Sequence, residues 1–113
     1  MRELPAATVA KELGDGQIVL IDVREPHEYS EARIKGALNY PLSTFVPEAL
    51  PAGGAREVVL HCGTGQRSGM ALEKCAAAGV GVHAHLQGGL GSWVDAGLPV
   101  LSVDPSTGEI ARD

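Results

Sequence analysis

The sequence predicts an α/β domain built on a parallel sheet, and three observations carry that prediction. Short apolar runs alternate along the chain with helix-forming stretches, the pattern left by strand–helix–strand units. The run Ile18-Val19-Leu20-Ile21 is apolar without alternation, as a strand covered on both faces requires. Glycines punctuate the joins, with Gly14 and Gly16 ending one helical stretch, Gly53-Gly54 in a loop and Gly79 ending another.

Taken in order, Pro5 to Leu13 reads as the first helix and Ile18 to Val23 as a central strand. Pro26 to Ala32 is a short helix or turn, Ala37 to Tyr40 a second strand, and Ser43 to Leu50 a short helix before the loop Pro51-Ala52-Gly53-Gly54. Val58 to Cys62 is the third strand. Ser68 to Ala78 follows as a helix, Val82 to Leu86 as the fourth strand, and Gly89 to Ala96 as a last helix. Residues 1–103 are expected to form one domain. Asp104 to Asp113, with its Pro105-Ser106-Thr107-Gly108, is expected to be a mobile polar tail without function. No repeat, linker or second domain is visible.

A chain of 113 residues allows one domain with a modest core. Aromatic residues are 4% of it, so Ala, Val and Leu must fill that core. A net charge of -5 argues against a nucleic-acid partner, which would select a basic face. No apolar stretch approaches the roughly 20 residues that cross a bilayer, and Met1-Arg2-Glu3-Leu4-Pro5 lacks an apolar signal core. A cytoplasmic, membrane-free location is therefore expected.

The chemistry concentrates in His61-Cys62-Gly63-Thr64-Gly65-Gln66-Arg67-Ser68, between an apolar strand and a helix. The two glycines permit left-handed turns that aim successive backbone N–H groups inward. The helix N-terminus adds partial positive charge and Arg67 a permanent one. In such settings a thiol falls from about 8.5 to roughly 3.5–7.5. The segment reads as a cradle for an anionic sulfur. Strand ends are where ligands gather in open α/β sheets, and Asp22, Arg24 and Cys62 all fall at such ends.

These residues resemble the active-site loop of rhodanese-like sulfurtransferases. Three further stretches agree: Ile18 to Tyr29 with its Asp22-Val23-Arg24, Ile34-Lys35-Gly36-Ala37-Leu38-Asn39, and Gly88-Gly89-Leu90-Gly91-Ser92-Trp93 with Ala96-Gly97-Leu98-Pro99-Val100. The resemblance runs from about Leu4 to Val100. It departs at Arg33 and Lys35, where the family usually has histidine and proline. It implies a rhodanese-like fold, a mostly parallel sheet of about five strands with helices on both faces. It also implies a thiosulfate sulfurtransferase in which Cys62 carries a sulfane sulfur as a persulfide. The donor would be a small molecule, and the acceptor cyanide, a thiol or a protein. Neither cofactor nor metal is expected.

In that scheme Gly63, Thr64, Gly65, Gln66, Arg67 and Ser68 surround the persulfide. Arg67 either holds a donor's negative group and steadies the thiolate, or closes the helix start as a solvated cation. Ser68 fits a helix N-cap better than a catalytic group. Asp22 is a support, accepting from the loop or from Arg24, and Arg24 either charges the pocket mouth or pairs with Asp22 or Glu25. Trp93 with Gly88 and Gly89 packs the last helix on the sheet. Cys75 is expected on a buried helical face with Leu72, Ala76 and Gly79, a core thiol rather than a resolving one. His83 and His85, two apart, are expected on one strand face, His61 turned from the sulfur, and His27 near the pocket rim. A cysteine phosphatase or arsenate reductase is the enzymatic rival, yet Cys62 to Arg67 is Cys-x4-Arg where those loops resemble Cys-x5-Arg. A binding module of the same fold without turnover is the other alternative.

Overall fold

The computed structural model describes residues 1–112. In chain order the elements are β1 (Arg2–Leu4), α1 (Ala6–Gly14), β2 (Ile18–Asp22), α2 (Pro26–Glu31), β3 (Ala32–Arg33) and β4 (Leu38–Asn39). After them come β5 (Glu57–His61), α3 (Gln66–Ala77), β6 (Ala84–Leu86), α4 (Gly89–Asp95), β7 (Leu101–Val103) and β8 (Ile110–Arg112). Five strands form a parallel sheet in the order β1-β6-β5-β2-β4. The α/β architecture read from the sequence is the one observed.

Alternation along the inner strands divides the interior into two apolar clusters, one on each face of the sheet. Leu20 of β2, Val59 of β5 and Leu86 of β6 pack with Val9 of α1 and Trp93 of α4. Ile21, Val58 and Leu60 pack instead with Cys62 and with Ala71, Leu72 and Cys75 of α3. Register then aligns the strand ends: Asp22 lies beside both Asn39 and His61. The segments after β2 and β5 therefore leave the sheet at the same edge. Asn39 secures that edge, its side-chain amide donating to the carbonyls of Asp22 at 3.0 Å and Arg24 at 2.8 Å.

Some expectations shift. The Ile18 strand is interior as expected, between β5 and β4, with β5 at the middle of the sheet. The helix expected over 43–50 is two 3₁₀ turns, Leu42–Thr44 and Pro47–Ala49, because Pro47 has no N–H to continue the first. The helix expected from Ser68 starts at Gln66. Polar residues after Asp104 are not all tail. The Asp104 carboxylate accepts from the Ser106 N–H and hydroxyl, a turn that lets β8 fold back on β7. With β3 these make a separate antiparallel sheet of three strands. There Arg33 stacks on the Tyr29 ring, 5.2 Å from its centroid.

Candidate active site

Cys62 follows directly on β5, and its side chain is fully buried on the α3 face of the sheet. The chain then turns through Gly65, whose φ of +100° caps α3 and suits glycine alone. This turn brings the Gly65 N–H to 3.0 Å from Cys62 Sγ. Ser68 Oγ lies 3.5 Å from the same sulfur. Burial pushes the thiol up, but hydrogen bonds from the Ser68 hydroxyl and from the N–H groups of Ser68, Gly65 and Thr64 outweigh it. The net shift is below the ordinary thiol value. The side chains of Thr64 and Gln66 are exposed. Ser68 is the third residue of α3, aimed at the sulfur, so it is not the N-cap expected of it.

The loop is held from behind by α4. The N–H of Leu90 donates to the Cys62 carbonyl at 2.8 Å, and that of Gly91 to the Gly63 carbonyl at 3.0 Å. With the Gly63 carbonyl tied to α4, the Thr64 N–H of the same peptide is left to the sulfur. Gly89 makes the approach possible. A Cβ there would overlap the Cys62 carbonyl oxygen and sit 2.6 Å from the Gly63 carbonyl carbon. The Gly88-Gly89 pair thus braces the loop as well as packing a helix. Trp93 does the packing, buried in the core with its indole N–H on the Pro99 carbonyl at 2.9 Å.

Neither arginine is a free charge. Arg67 makes a two-pronged pair with Glu28, at 2.6 and 2.9 Å, and Glu28 also accepts the Glu25 N–H at 3.1 Å. The Arg67 bonds hold the Glu28 carboxyl down at about 2, with the Glu25 N–H assisting against burial. Arg67 thus ties α3 to α2 while remaining partly exposed, and its charge also acts on the Cys62 sulfur. Arg24 is buried on Asp22, which accepts its backbone N–H and its guanidinium, and a further guanidinium bond reaches the Ala32 carbonyl. Of the two places expected for Arg24, the Asp22 pair is the one observed. Asp22 faces away from the sulfur, with His61 Nε2 at 3.5 Å, and burial lowers the His61 pKa against the pull of that carboxylate.

The histidines separate. His83 is exposed ahead of β6, whereas His85 is buried within it with Nδ1 at 2.7 Å from Ser68 Oγ. His83 lies outside the strand, so the expected pair on one strand is not formed, although both histidines lie against α3. His27 is exposed on α2. Cys75 is buried on an α3 face formed with Ser68, Ala71 and Leu72; Ala76 and Gly79 are exposed. Lys35 lines an apolar groove of about 410 Å³ with Leu13, Ile34, Trp93 and Leu98, and Cys62 is not among its walls. Reading along the chain misses Glu28 and His85 as parts of the site, and gives Gly89 a packing role without its contact to the loop. The pairs Glu28–Arg67 and Ser68–His85 span 39 and 17 residues, and only strand register brings them together.

Comparison with known proteins places this geometry. Residues 5–96 match the family model described as a rhodanese-like domain. An uncharacterized protein of Synechocystis sp. is 40% identical over 95 residues, a span of 84% of this chain and 53% of that protein. The chain thus matches about half the length of that relative. A protein of Allochromatium vinosum named sulfurtransferase is 28% identical over 103 residues, covering 90% of this chain and 96% of its own. The crystal structure of a rhodanese-related protein from Thermoplasma volcanium matches with a TM-score of 0.75 at 27% identity, over 88% of this chain and 97% of that one. No helix among the described residues is long and apolar enough to cross a membrane.

Proposed function

The chain belongs to the rhodanese-like domain family, and on that premise we propose that it is a sulfurtransferase whose Cys62 carries a sulfane sulfur. The observation that supports this most is the Gly65 N–H at 3.0 Å from Cys62 Sγ, with the N–H groups of Thr64 and Ser68 acting on the same sulfur. A ring of backbone donors favours an anion on sulfur as an oxyanion hole favours one on oxygen. Arg67 is paired with Glu28, and its charge adds to the stabilisation that the Ser68 hydroxyl and those backbone donors supply.

With thiosulfate as donor, the Cys62 thiolate attacks the outer sulfur. The sulfur–sulfur bond breaks and sulfite leaves with the electron pair, giving a Cys62 persulfide. An acceptor such as cyanide, a small thiol or a protein thiol then attacks the outer sulfur and restores the thiolate. The short Cys-x4-Arg spacing, and an arginine already paired, favour a single sulfur over a tetrahedral phosphate. Initial rates at varied thiosulfate and cyanide test the scheme. Parallel double-reciprocal lines are expected for a covalent carrier, and intersecting lines would replace it with direct transfer in a ternary complex.

A further inference from the structure

Ser68 Oγ stands between two proton-exchanging atoms, 3.5 Å from Cys62 Sγ and 2.7 Å from His85 Nδ1. The Gly65 carbonyl, at 3.3 Å, is its remaining neighbour. A hydroxyl has one proton and so donates in one direction at a time. When His85 is neutral with its proton on Nε2, Nδ1 takes the Ser68 proton and the serine oxygen can accept from the Cys62 thiol. Parallel register produces the arrangement. His85 lies beside Leu60 of β5, which shares the Cys62 face, and beside Glu3 of β1, whose carboxylate comes to 3.5 Å from Nε2.

We infer that His85 is a positioning residue that sets the protonation of Cys62 through the Ser68 hydroxyl. As the thiol proton passes to Ser68 Oγ, the hydroxyl proton passes to His85 Nδ1. Sulfur keeps its electron pair, the hydroxyl turns to donate to the thiolate, and the imidazolium directs Nε2–H at Glu3. Only S–H, O–H and N–H bonds change, so no co-reactant is needed. The inference rests on Cys62 being the reactive thiol, as proposed above. The groups facing His85 are Glu3 from β1, the amino terminus, and Ser68 from α3; β5 offers the uncharged Leu60. Burial lowers the His85 pKa, Glu3 raises it and the amino terminus lowers it, with a net lowering that favours the neutral ring, whose Nδ1 lone pair accepts the Ser68 hydroxyl hydrogen bond.

The test follows the ultraviolet absorbance of the thiolate against pH, corrected with Cys62→Ser, and uses no sulfur donor. Its outcome is therefore separate from whether thiosulfate is the substrate. In His85→Asn the thiolate midpoint should rise by about one pH unit, and in Glu3→Gln by less. A folded His85→Asn with the parental midpoint would overturn the inference. If that variant does not fold, NMR titration of His85 in the parent and in Cys62→Ser decides. Coupled groups titrate together, so His85 should titrate lower once the thiolate is gone, and an unchanged titration rejects the coupling.

Discussion

Cys62 and Cys75 are both fully buried, in the same apolar cluster, on the same side of the sheet. Their thiols are nevertheless pushed in opposite directions. Burial, with the Glu48 charge adding to it, raises Cys75. Burial also acts to raise Cys62, but donated hydrogen bonds reverse it. What differs is the state of the surrounding backbone. Cys75 sits well inside α3, where N–H groups are already used in the i→i−4 ladder. Cys62 sits before the first turn of the same helix, where N–H groups have no helical partner. Depth in the core does not decide which way a buried thiol shifts; unclaimed donors within reach of the sulfur do.

The contrast is easiest to break at Gly89. Gly89→Ala puts a methyl against the Cys62 and Gly63 carbonyls, and must displace the loop that aims the donors. Overpacking of this kind costs about 1–3 kcal/mol, and misplacing reacting groups by an ångström can cost about 100-fold in rate. Sulfur transfer should fall by that order while the melting temperature drops only in proportion to the packing cost. Parental turnover would show that α4 does not set the loop.

Ser68→Ala removes one donor and leaves the backbone ring intact. A hydrogen bond to a charged group contributes about 1.5–3 kcal/mol, so the thiolate midpoint should rise by about one to two pH units. No shift would mean that the N–H groups alone hold the sulfur. At the other thiol the order of effects reverses. Cys75→Ser places a hydroxyl in an apolar cluster and should cost about 1–3 kcal/mol of stability, read by denaturant unfolding, with sulfur transfer unchanged. Loss of transfer without loss of stability would make Cys75 a participant.

The smallest effect belongs to the ion pair at the site's edge. The Glu28 carboxyl is lowered in the folded state from 4.5 to about 2. Its contribution is therefore present above pH 4.5 and is lost as the pH falls towards 2. Melting temperatures of the parent and Glu28→Gln should differ at neutral pH and converge in acid. A constant gap between them would show that the pair adds nothing to stability.

Some of this was legible in the chain. The continuous apolar runs of β2 and β5 mark strands covered on both faces, and Cys62 ahead of Gly63, Gly65 and a helix marks the loop. β4 falls inside the strand expected over Ala37 to Tyr40, whereas β3, of two residues, is too short to carry a periodic signal. β8 is a strand only because Asp104 turns the chain back onto β7. The partners of Arg67 and Ser68 are hidden from the sequence for a related reason. Each side chain is claimed by a partner distant in sequence, Glu28 in one case and His85 in the other. Local pattern places a residue at a strand or helix end; register across the sheet decides what its side chain meets.

The central claim is that the sulfur rides on Cys62 and not on Cys75. Intact-mass spectrometry after incubation with thiosulfate, with peptide mapping, tests it most directly. The parent should gain the mass of one sulfur atom, mapped to Cys62, and lose it to cyanide, a thiol or strong reductant. Cys62→Ser should stay folded and gain nothing. Sulfur mapped to Cys75, or turnover retained in Cys62→Ser, would contradict the account.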